Sequence, residues 1–165
     1  MAEIEPLEWG VVPRPIFVVL DKLQERVSDA ARGMSALDLR GEAPRQHDET
    51  FQRIARAANV ADRVSSDYRS VFNAYVHRFH RPKPAIGDLA RAQETVIQTF
   101  AKRYTAKTVA AMEALLSPDP DIFAIRDGIR SLGFDDLWRL SEPLDLALKK
   151  ATEEPGFEPW LRHPR

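Results

Sequence analysis

Apolar residues recur at spacings of three and four along most of this 165-residue chain, and nowhere do they alternate with polar ones as in a half-buried strand. The longest such run extends from about Asp48 to His80, through Phe51, Ile54, Ala55, Ala58, Ala61, Val64, Tyr68, Val71, Phe72, Tyr75, Val76 and Phe79, without Gly or Pro. A helix of that length would measure roughly 50 Å. Asp48 suits its N-cap and Glu49 its first turn, so His47 belongs to the same helix start. The pair Ser65-Ser66 is the expected place for a bend.

A second run covers about 88–116, through Leu89, Ala92, Val96, Ile97, Phe100, Tyr104, Val109, Met112, Leu115 and Leu116. Between the two lies Arg81-Pro82-Lys83-Pro84, where each proline pushes its predecessor out of the helical region. A link this short makes the two helices antiparallel neighbours. The fold class that follows is all-α: a helical bundle built on a long antiparallel hairpin, 48–80 against 88–116.

Shorter elements flank that spine. An N-terminal helix is expected from about Pro15 to Arg32, with Phe17, Leu20, Leu23, Val27 and Ala31 inward and Gly33 as its stop. Residues 33–47 read as a loop. Ser117-Pro118-Asp119-Pro120 ends the second long helix and starts a short one, with either Ser117 or Asp119 as cap, Ile122, Ile125, Ile129 and Leu132 inward, and Gly133 at its end. Asp135 caps one further turn, and Ser141-Glu142-Pro143 opens a last helix to about Thr152. The organisation expected is an extended arm over 1–15, one helical domain over 16–152, and a tail over 153–165 rich in proline and aromatic residues.

Composition narrows the possible functions. There is no cysteine, which removes disulfides, thiolate catalysis and Cys-ligated zinc. The first ten residues carry Glu3, Glu5 and Glu8 in place of a basic start and an apolar run, so no secretory signal is expected. Ile16–Leu20 is the longest apolar stretch, so no membrane span is expected, and the chain reads as cytoplasmic. Frequent Arg and Ala with few Lys resemble a bacterial or phage coding bias.

No residue set supports chemistry. There is no P-loop, dinucleotide glycine motif or nucleophile elbow, and no Glu-x-x-His pair of the kind that di-iron bundles use. His77 and His80 stand one turn apart, as a metal pair would. On an α-helical wheel, however, His77 falls opposite the core stripe, and no carboxylate lies at ligand spacing. Both are expected on the surface. Catalytic residues, metal ligands and cofactors are therefore assigned to none, and an enzyme is disfavoured.

Charge supplies the remaining signal. The net charge is −1, yet residues 69–107 hold 8 Lys/Arg against 2 Asp/Glu, while both flanks are acidic. The candidate partner-binding residues are Arg78, Arg81, Lys83, Arg91, Lys102, Arg103 and Lys107. On two continuous antiparallel helices, the last three would lie about 25–35 Å from the hairpin tip. Phe157 and Trp160 in the tail are the other candidates, as anchors for a partner or as clips onto the chain's own surface. The leading functional reading is a non-catalytic protein-interaction module: an adaptor, an inhibitor or a regulatory subunit. The alternatives are a nucleic-acid-binding protein using the basic face, and a ligand-binding bundle or enzyme without a known motif. A homodimer through the hairpin would cover its flanks.

Overall fold

The structure, a computed structural model, describes residues 11–35 and 44–157, and every regular element among them is helical. Seven α-helices follow one another: α1 Arg14–Ser35, α2 Pro44–Ala74, α3 Ile86–Ala92, α4 Ile97–Lys102, α5 Ala106–Leu116, α6 Ile122–Gly128 and α7 Glu142–Glu153. A π-helical turn, Tyr75–Phe79, continues α2, and a 3-10 turn, Phe134–Leu137, precedes α7. The all-α bundle and the long helix up to residue 79 are as the spacing predicts, but α2 starts at Pro44, so Asp48 lies inside the helix and is not its N-cap, and 33–35 and 44–47 are helix and not loop. Residues 1–10 of the arm, most of the expected loop and the end of the tail lie outside the described residues.

The most extensive interface joins α1 to α2. They run antiparallel: Gly33 faces Ala57, while Val27 and Tyr68 meet further along. Ile16, Val19, Leu23 and Ala30 are the buried face of α1, whereas Phe17 is 60% exposed. The inward stripe is thus rotated one residue from the Phe17-based one, and α1 enters its first turn at Arg14. Gly33 does not stop the helix. It lies within α1, where a Cβ would come 3.2 Å from that of Ala57, so its role is close approach between helices.

The segment 88–116 is helical for most of its length but in three pieces. Glu94 takes φ 53°, Thr95 N–H donates to Ala90 C=O, and Glu94 N–H donates to Arg91 C=O. That pair of bonds is a Schellman motif with Glu where Gly is usual. The β-branched run Thr95-Val96-Ile97 adds little helix propensity at the break. At the second break Thr105 accepts from Thr108 N–H at 3.3 Å, and Thr108 Oγ1 accepts from Thr105 N–H, a reciprocal cap that starts α5.

Further on, α6 begins one residue after Asp121, not at Ser117 or Asp119. Asp121 Oδ1 accepts from the N–H groups of Phe123 at 2.9 Å and Ala124 at 3.1 Å. It ends at Gly128, five residues before Gly133, and Gly128 presses on α5: a Cβ there would sit 2.2 Å from the Lys107 carbonyl oxygen, so only glycine fits. The 3-10 turn and α7 follow, the latter capped by Ser141 as expected.

One contiguous core joins Ile16, Val19, Leu23 and Val71 of α1 and α2 to Phe100, Met112, Leu115, Ile125, Leu137, Leu144 and Leu148. Two polar ties fasten the C-terminal half to α1 and α2. Arg26 forms an ion pair with Asp136, and Asp67 Oδ2 accepts from Ser131 N–H at 2.8 Å. Both draw on carboxylates that are largely shielded from water, where a charge-assisted bond is stronger than at an open surface.

Candidate functional site

The site lies where α2 ends. Four consecutive residues, Asn73, Ala74, Tyr75 and Val76, are buried, which no amphipathic α-helix allows. The chain here winds as a π turn, closed by His80 N–H donating to Tyr75 C=O at 2.9 Å. The wider turn rotates everything after it relative to an α-helical wheel. His77 therefore does not stand on the outer surface, as the wheel predicts. It is half-buried, hydrogen-bonded through Nδ1 to the Tyr104 hydroxyl, and edge-on to the rings of Phe100 and Tyr104. Burial holds its pKa below the ordinary 6.5, and the nearby cations Lys83 and Arg78 lower it further. His80 turns the other way and pairs its Nδ1 with the Tyr75 hydroxyl at 2.8 Å. Burial raises the pKa of that tyrosine.

A polar knot fixes the neighbouring elements. Gln93 Nε2 donates to Asn73 Oδ1 at 2.7 Å, and Asn73 Nδ2 donates back to Gln93 Oε1 at 3.2 Å. Arg103 Nη1 donates to the same Gln93 oxygen at 2.9 Å, and Ser70 Oγ donates to the Arg103 carbonyl at 2.7 Å. A fully buried amide such as Asn73 needs these partners, since burying it unpaired would be expensive. The knot pins the C-terminus of α3 and the end of α4 onto α2. Sequence reasoning passed over Asn73 and Gln93; the only signal was an amide inside an apolar stretch.

This geometry corrects the spacing expected for the basic residues. Arg103 is beside Ser70 and Tyr104 beside His77, so the stretch 102–104 lies against the last turns of α2 and not 25–35 Å from its end, while Lys107 pairs with Asp127 of α6. The two helix breaks fold 97–105 back against the π turn. Arg78, Arg81, Lys83, Arg91, Lys102 and Lys107 are all exposed, and Arg103 is half-buried. Arg91 pairs with Asp88 one turn away, and Lys107 reaches Asp127 at 3.4 Å. Arg81 donates to the His80 carbonyl at 2.8 Å. Arg78, Lys83 and Lys102 have no hydrogen-bond or ion-pair partner among the described residues. Among the described residues, Lys107 alone of the seven is paired with the acidic C-terminal segment.

The tail candidate behaves otherwise. Phe157 folds onto its own domain, with ring centroids 5.5 Å from Phe134 and 6.4 Å from Phe123. Trp160 lies outside the described residues. Among those described, no three His, Asp or Glu side chains gather as a metal site would need, and no helix is long and apolar enough to cross a membrane.

Chemically, the end of α2 can attract anions. Two cations close enough to depress a histidine pKa, with no carboxylate paired to them among the described residues, form a local positive field. The aromatic rings beside them are turned inward and bonded to histidines, which leaves them unavailable as stacking platforms. Compared with known proteins, the chain matches no family model, no curated protein sequence and no solved structure.

Proposed function

We propose that the chain is a helical protein-interaction module whose basic end docks on an acidic surface of another protein. The observation that carries this reading is the pair Arg78 and Lys83 beside His77, with Lys102 on the stretch that Tyr104 ties to the π turn, all three exposed and unpaired among the described residues. Nucleic acid is the weaker partner. The chain as a whole is net negative at −1, and a long polyanion would meet its acidic flanks as well as its basic end. Tyr75 and Tyr104 are engaged with His80 and His77, so base stacking gains nothing from them.

The test is fluorescence anisotropy at low salt with three labelled probes of matched charge: poly-glutamate, duplex DNA and single-stranded RNA. Poly-glutamate is expected to bind, to weaken as salt rises, and to lose about tenfold or more in R78E/K83E/K102E. Nucleic acid that binds far more tightly than poly-glutamate would replace this reading with the alternative. Absence of poly-glutamate binding at low salt would reject it.

A further inference from the structure

A cleft of about 490 Å³ opens between α1, α2 and the C-terminal end of α3. Half-buried Val27 on α1 and half-buried Tyr68 and Phe72 on α2 form its apolar surface, and the two rings stand one helical turn apart. Ser65 and Gln93 supply polar groups, the latter already held by Asn73 and Arg103. Gln24 and Arg69 complete the lining, and Arg69 is its one charged residue. It is exposed, and it has no hydrogen-bond or ion-pair partner among the described residues. The volume falls within the range of small-molecule sites, which are typically about 300–1,000 Å³ with an apolar lining and a few convergent polar groups.

We propose that this cleft is a binding site for a small aromatic carboxylate. The flat apolar body lies along Tyr68, Phe72 and Val27, and the carboxylate accepts the paired N–H groups of Arg69. Guanidinium and carboxylate match in planarity and charge, so one arginine at the edge of an apolar cleft selects an anion over a neutral molecule of the same shape. An aromatic body suits the site better than a flexible chain, because two rings spaced along one helix face offer a flat surface that costs a rigid ligand little entropy. The Gln93 amide lies at the same cleft while its oxygen accepts from Arg103, so an occupant touches the knot that holds α3 and α4 in place.

The site is separate from the basic end and does not depend on the partner proposed above. It is tested by proton–nitrogen NMR titration of the whole chain with 2-naphthoate and, in parallel, with neutral 2-naphthylmethanol. Naphthoate is expected to shift the amides around Val27, Ser65–Phe72 and Gln93, and to bind more tightly than the alcohol. R69A is expected to weaken naphthoate about fivefold or more while leaving the alcohol within about twofold, and R69K, which keeps the charge but not the paired N–H groups, to restore only part of the lost affinity. Arg69 is exposed, so both variants are expected to melt as the wild type does. Three results would overturn the proposal: no cleft shifts at millimolar naphthoate, shifts confined to the surroundings of Arg78, Lys83 and Lys102, or equal binding of the alcohol and the carboxylate.

Discussion

The Tyr104 hydroxyl is hydrogen-bonded to Nδ1 of His77, which ties the link between α4 and α5 to the π turn that ends α2. This contact brings the stretch 102–104 against the turn that carries Arg78. It also sets a pH dependence. Burial and the cations Lys83 and Arg78 hold the folded-state pKa of His77 below its unfolded value near 6.5, so the unfolded chain binds the extra proton first. Stability from this group is therefore complete above about pH 6.5 and is lost as pH falls from there through the folded-state midpoint. Thermal melts across that window should show a decline in the wild type that is reduced in H77Q. A histidine NMR titration with a midpoint at or above the ordinary value would refute the assignment.

The Asn73–Gln93 amide pair is expected to behave as a unit. N73L strands the Gln93 amide, and Q93L strands a fully buried asparagine and removes the acceptor of Arg103. Each single change should cost about 1–3 kcal/mol, because an unsatisfied buried polar group bears its full desolvation cost. The double variant should cost clearly less than the sum, with a coupling of about 1 kcal/mol or more in a denaturant-unfolding cycle. Strict additivity would show that the pair is not coupled.

Glu94 occupies a left-handed position that favours glycine, and its side chain is exposed. E94G should therefore stabilise the fold by about 1 kcal/mol, since a Cβ in that region is penalised by about 1–2 kcal/mol. For a chain of this size that is about 2–4 °C in melting temperature. A lowered melting temperature would mean that the α3–α4 break is not the Schellman turn described.

How far the sequence could be read depended on what kind of signal each element left. The helical extent of α2, its buried stripe from Val64 to Val71 and the Pro-rich link after His80 were legible, because long amphipathic helices and prolines act through local rules, whereas Phe51 at the head of the stripe is 52% exposed. The breaks at Glu94 and Thr105 were not. Neither contains Gly or Pro, and both fall within a run that keeps helical spacing; the turn exists because tertiary packing of Phe100 and Tyr104 against the π turn outweighs propensity. The π turn itself was invisible for the same reason: an α-helical wheel has no place for four successive buried residues, so His77 was assigned to the wrong side. The basic residues were legible as a cluster in sequence, but their gathering at one end required both breaks. The Arg69 cleft had no sequence signature, since Val27, Tyr68 and Phe72 read simply as core.

The most direct test of the central claim is to map where an acidic polypeptide lands. Proton–nitrogen NMR of the labelled chain, titrated with poly-glutamate at low salt, should shift the amides of 77–83 and 102–104 together, at one common affinity. Those shifts should vanish in R78E/K83E/K102E while the remainder of the spectrum is unchanged. Shifts centred instead on the exposed arginines of α2, Arg53, Arg56 and Arg63, with 77–83 and 102–104 silent, would contradict the account.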